Sequence, residues 1–157
     1  MKTILKIVAL IIGVGLVAMQ FIARPDRTNP GEDPRVALSS RPGVPADVQA
    51  ILDRSCNDCH SHTTRWPWYT AVAPASWIVA DHVEEGRRHL NFSTWGTYSV
   101  KRQAAKLEMI SIEVDKGSMP LKGYLLLHGD AALSEAEKDR LCEWATTTSD
   151  SLLGRTE

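Results

Sequence analysis

The sequence predicts a mainly α protein: a small helical domain preceded by one N-terminal transmembrane helix and a Pro-rich linker. Three observations lead there. Residues 46–149 carry apolar side chains at helical spacing in four separate runs, with no strand-like alternation of useful length. Residues 7–23 are an apolar run broken only by Gln20. Residues 24–45 hold Pro25, Pro30, Pro34, Pro42 and Pro45, five of the eight prolines in the chain. A chain of 157 residues suits one folded domain.

The first element is the anchor, residues 1–23. Lys2, Lys6 and the amino terminus precede the run Ile7 to Ala23, and Arg24 follows. That length is near the lower limit for a membrane-spanning helix. A cleaved signal peptide is the rival reading. It prefers small residues at −3 and −1 of the cut, yet Leu16 lies at −3 of Ala18 and Phe21 at −3 of Ala23. An uncleaved anchor is therefore expected. The linker, residues 24–45, excludes a helix or a central strand because proline lacks the N–H and fixes φ. It is expected to be an extended spacer or to lie along the domain, lifting the domain off the bilayer in either case.

The folded part, residues 46–149, is read as four helices. Ala46 to Cys56 places Val48, Ile51, Leu52 and Cys56 on one face, with Pro45 at its start. Residues 61–73 form a loop containing Trp66, Pro67, Trp68 and Tyr69. Pro74 opens a second helix to about Leu90, with Val79, Val83, Gly86 and Leu90 inward. Ser99 caps a third helix to about Lys116. Ala104, Leu107, Ile110 and Val114 form its inner face, widened by Met109 and Ile112, and Gly117 follows its end. Ser134 and Glu137 form a capping box for a last helix to about Thr147, with Leu141, Trp144, Ala145 and Thr148 inward and Cys142 a buried, inert thiol. Residues 150–157 read as a frayed tail.

Charge excludes one class of function. The chain has 18 basic and 19 acidic side chains; two of the basic ones, Lys2 and Lys6, lie in the anchor, so the remainder carries 16 against 19. No basic excess marks a nucleic-acid partner. No nucleophile–base pair or phosphate loop is visible either.

The chemistry sits in Cys56-Asn57-Asp58-Cys59-His60, a C-x-x-C-H sequence. Two thiols three residues apart can each bond one vinyl group of a porphyrin, and the following histidine is then held under the iron. This predicts one covalent haem c, with His60 as the proximal metal ligand. Asn57 and Asp58 need only tolerate a tight turn. A Cys56–Cys59 disulfide and a zinc site are the competing readings; zinc would want a second ligand pair, which the sequence lacks. A helix that delivers the motif at its end is how class I cytochromes c begin, so the domain is expected to be cytochrome c-like. Arg65 and the Trp66 indole N–H are read as holders of a propionate.

The sixth ligand has several candidates. His62 is too close to His60 to reach the opposite face. His82 and His89 share a stripe of the second helix, Met109 reads as core, and His128 has no feature to fix it. Met119 follows a helix end, precedes the last helix and is restricted by Pro120. Its soft sulfur suits haem iron, and it is the preferred ligand.

The chain resembles the small bacterial haem-binding domain family of anchored monohaem proteins. The likeness rests on Gln20-Phe21 with Pro25 and Asn29-Pro30, on Cys56 to Ser61, and on Thr64 to Tyr69. It continues through His89 to Ser93, Trp95 and Met119-Pro120, and so covers most of residues 18–147. The family often has a second proline where Leu121 stands. The expected function is one-electron transfer by a haem domain on the periplasmic face of the bacterial inner membrane, serving an unidentified redox partner. The orientation follows because bacteria attach haem covalently outside that membrane. A peroxidase-like enzyme, or a haem-based sensor or maturation factor with an open distal site, is the alternative.

Overall fold

Eighteen residues, Lys2–Met19, form the first helix, α1, and none of its side chains is buried. The computed structural model describes residues 1–22 and 24–155; Ala23, the last residue of the expected anchor, and Thr156 and Glu157 of the expected tail lie outside the described residues. α1 is long and apolar enough to cross a membrane, and a signal sequence would meet the same criterion. Among the described residues all regular structure is helical.

The other helices are α2 (Ala46–Ser55), α3 (Asn57–His60), α4 (Ala75–His89), α5 (Val100–Asp115), α6 (Lys122–Leu125) and α7 (Glu135–Leu152). Short 3-10 turns lie between them. α5 and α7 form the main pair. Ala104 meets Ser149 and Ser111 meets Cys142, so the two run antiparallel. α2 lies across α7, joined at its edge by Asp47–Arg140 and Arg54–Glu137 ion pairs, each 2.7 Å. Leu52, Leu107 and Leu141, one from each helix, are fully buried where the three meet. Phe92 and Trp95 close this core from the turn after α4.

Several expectations hold locally. Ser99 accepts from Arg102 N, and Gly117 takes φ +67° just past α5. Both halves of the Ser134–Glu137 capping box are present. Those hydrogen bonds, with Arg54, hold the Glu137 carboxyl down at about 2.

Three expectations change. α7 continues past Thr147 to Leu152, because Ser149 is buried and its hydroxyl donates to Ala104 O; Thr148 is only half-buried. Met109 and Ile112 face outward on α5, with Met109 51% exposed, so neither is core. Cys142 is half-buried, its thiol directed at Ser111 O.

Residues 24–45 are a strap bound to the domain and not an extended spacer. Arg27 donates to Thr70, Asn29 to Thr64 O, and Gly96 N to Val36 O. Ala37 and Leu38 are buried, and Leu38 is part of the main core. Gly96 permits this approach, since a side chain there would meet Val36 and the Arg41 guanidinium.

Replacing Leu38 with alanine should destabilise the domain by about 2–5 kcal/mol, the usual effect of emptying a core leucine site. A denaturant titration that leaves the midpoint unchanged would mean the strap contributes nothing to the fold.

Candidate functional site

α3 is a single turn that follows α2 directly after Cys56, whose carbonyl accepts from Cys59 N and His60 N. That turn lies against α4 at Gly86. A Cβ on Gly86 would sit 2.5 Å from the Cys59 carbonyl oxygen, so only glycine allows the contact. The approach brings the His60 ring under the C-terminal turn of α4. Its Nδ1 is 3.0 Å from Gly86 O and 3.1 Å from Leu90 O. Carbonyls only accept, so Nδ1 carries the ring proton and donates. Nε2 is left with its lone pair and no hydrogen bond among the described residues. The Phe92 ring meets the imidazole edge-on, centroids 6.3 Å apart. Burial holds the His60 pKa below its ordinary value, against the pull of the two carbonyls, so the ring is neutral.

Both motif cysteines are free thiols. Burial pushes Cys56 up to about 12 and Cys59 up to about 11, so both are protonated at neutral pH. Among the described residues no three His, Cys, Asp or Glu side chains converge on a point that could hold a metal ion, which leaves the zinc reading without a ligand set. A neutral imidazole with one nitrogen anchored by backbone and the other open is the arrangement of a metal-ligating histidine. With two free thiols beside it, the motif fits haem c.

Residues 14–147 match the family described as haem-binding domain. The chain belongs to that family. No curated protein and no solved structure matches it.

Beside the motif of this haem-binding domain lies a mostly apolar cleft, with about 850 Å³ of empty space counted to its open mouth. Cys59, Val79, Val83, Leu121 and Leu127 supply much of the lining, and Arg65, His82 and His128 also reach it. One wall is a hydrogen-bonded set centred on Asp58. The Asp58 carboxylate accepts from Arg65 N (3.0 Å), Arg65 Nε (3.1 Å), Arg65 Nη2 (2.9 Å) and the Tyr124 hydroxyl (2.7 Å). Burial alone would raise its pKa, but the hydrogen bonds from Arg65 and Tyr124 outweigh it and hold the carboxyl below its ordinary value. Tyr124 stacks on His128 at 4.0 Å, and the Tyr69 hydroxyl lies 3.1 Å from His128 Nε2.

The residues singled out in the sequence divide between two places. Cys59, Arg65, His82 and His128 share the cleft. Cys56 and Met119 lie half-buried against the main core. Met119 follows Gly117, and its N–H donates to Glu113 O. Trp66 is outside the lining of the cleft, and its indole N–H donates to Asn29 of the strap (3.2 Å). Arg65 has its Nε and Nη2 committed to Asp58, and its side chain is otherwise 61% exposed. His62 has both ring nitrogens engaged, with Gly31 O and with Asn91. His89 is exposed and paired with Glu85.

Three functional residues were missed or undervalued. Asp58 is not a tolerant spacer: it is buried and organises Arg65 and Tyr124. His128, which looked unfixed, is held by Tyr69, Tyr124 and the Tyr124 carbonyl. Arg87 ties the loop after the motif in place, donating to Ser61 O (2.8 Å), Thr64 (2.9 Å) and Asn29 (3.0 Å). No periodicity marks any of them; the one signal was a charged side chain at a position otherwise expected to be neutral.

Replacing Gly86 with alanine should separate α3 from α4 and release the His60 ring. The domain should lose thermal stability by several degrees, the effect of about 1–3 kcal/mol of overpacking. Calorimetry showing an unchanged melting temperature would mean the contact is easily relieved.

Proposed function

We propose that this chain is a membrane-tethered, single-haem c-type cytochrome that transfers electrons one at a time. The observation that carries the reading is the His60 ring, held by two backbone carbonyls through Nδ1 so that Nε2 is presented as a ligand. Cys56 and Cys59 are the attachment residues. Each would hold the haem through a thioether, its S–H adding across one vinyl group with no oxidant consumed. His60 is the proximal ligand. When bound, the haem supplies an iron centre that cycles between two oxidation states.

The protein's own part is to orient and to insulate. The Gly86 and Leu90 carbonyls fix the ring plane and make Nε2 more basic. Met119 would be the second protein ligand to the iron. Its half-buried thioether follows the end of α5 and is a soft donor that favours the reduced iron and raises the potential relative to a second histidine. A second reading takes His82, because it shares the cleft with Cys59. Arg65 stays beside the cleft as a propionate partner only if it also keeps Asp58. Trp66 acts in this reading through the strap.

α1 anchors the chain in the bacterial inner membrane, with the haem domain in the periplasm, where covalent attachment takes place. A redox protein of that membrane or compartment is the partner. An open-site enzyme or sensor remains the contrasting outcome of the spectra below.

The attachment is checked by extraction. Colour should stay with the denatured chain in acidified organic solvent, at a ratio of one haem per chain. Colour that leaves the chain would rule out the thioethers.

The ligand set is checked by absorption spectra in both oxidation states. The protein should be low-spin and unresponsive to carbon monoxide. Met119→Ala should lose the weak far-red sulfur-to-iron band, bind carbon monoxide and have a lower potential. An unchanged low-spin spectrum in that variant would move the assignment to His82, and a high-spin parent protein would favour the open-site alternative.

A further inference from the structure

The membrane helix and the domain are joined without slack. α1 ends at Met19, and the next residue is already bound to the domain. Gln20 Nε2 donates to Ala73 O (3.0 Å), and Ala73 N donates to Gln20 Oε1 (3.0 Å). The two opposed hydrogen bonds fix the end of α1 to the residue pair that opens α4. The strap that follows is bound along the domain, so it provides no stand-off.

The surface around this junction is apolar where a domain held in water would be polar. Phe21, directly after Gln20, is 86% exposed. Val72, directly before Ala73, is exposed as well. Ile78 and Leu127 are exposed and line the mouth of the cleft. Leu126, next to Leu127, is 84% exposed, and Trp68 is 81% exposed. Pro67 and Tyr69, on either side of Trp68, both line the same cleft, which places Trp68 at its rim. Arg24 and Lys122 are exposed cations beside these residues in the chain. A tryptophan with exposed aliphatics and flanking cations is the composition that settles at a bilayer interface.

We propose that the domain seats directly on the bilayer through this rim, so that the mouth of the Cys59 cleft opens at the lipid interface. The partner is the headgroup and upper acyl region of the same membrane that holds α1, and the proposal rests on the reading of α1 as a membrane span. Gln20 sets the height: a helix of 18 residues reaches about 27 Å, close to the hydrocarbon thickness, so the Gln20–Ala73 clamp lies at the boundary. The apolar rim next to the clamp then enters the interface, with Arg24 and Lys122 at headgroup level.

The full chain, reconstituted in phosphatidylethanolamine–phosphatidylglycerol vesicles, tests this with a photo-reactive benzoylphenylalanine placed singly at Val8, Trp68, Leu126 and Glu143. All four positions are exposed, so the replacements leave the core intact. Lipid adducts, counted by mass spectrometry, should form at Val8, Trp68 and Leu126 and be several-fold rarer at Glu143 on α7. Adducts at Val8 with none at Trp68 and Leu126 would overturn the seating and leave the anchor standing. No adduct at Val8 would overturn both, and equal adducts at Glu143 would show contact without a preferred face. Changing Gln20 to alanine should reduce the adducts at Trp68 while those at Val8 persist.

Discussion

The contact on which the site depends is the approach of α3 to α4 at Gly86. It is a steric constraint first: no side chain fits between that Cα and the Cys59 carbonyl. At that contact the Gly86 carbonyl, which also accepts from Leu90 N, and the Leu90 carbonyl just past the helix end face the His60 ring. The His60 ring takes them. The imidazole is thereby fixed by the end of the helix through two backbone carbonyls.

The polar wall beside Cys59 follows a similar economy. Asp58 is buried one residue from a thiol, where an unpaired charge would be costly. Arg65 meets it with three N–H donors, main chain included, and Tyr124 with a hydroxyl. The same tyrosine stacks on His128, so one carboxylate positions the loop after the motif and the segment before α7 together. An apolar cleft with one well-paired ionic edge results.

Much of the fold was legible, because long helices repeat their apolar residues every third or fourth position and announce their starts through Ser99, Ser134 and Glu137. The motif was legible because its order of thiols and imidazole is rare. What was not legible depends on backbone or on single contacts. The Gly86 and Leu90 carbonyls have no side-chain signature. Asp58 occupies a position that the motif leaves free. The end of α7 was misjudged because Thr146 to Asp150 lacks apolar period, while Ser149 is buried by a hydrogen bond. The prolines of residues 24–45 correctly excluded a long helix or a strand, but they gave no sign that Leu38 would key that segment into the core. Met109 matched the apolar stripe of α5 by type and still faces outward, since α7 covers only part of that helix.

The strap also imposes an order of events. Glu32 is bound by Ser93, 61 residues later, and Val36 by Gly96. A chain synthesised from its N-terminus holds Glu32 and Val36 without these partners until Ser93 and Gly96 exist. During that interval the cysteine-bearing turn lacks α4 against one side and Phe92 against the other. Cys56 and Cys59, which the folded domain half-buries, are open to solvent in that interval. Docking of α4 and closure of the strap on Ser93 and Gly96 therefore come late, so a segment near the start of the chain is among the last to find its place.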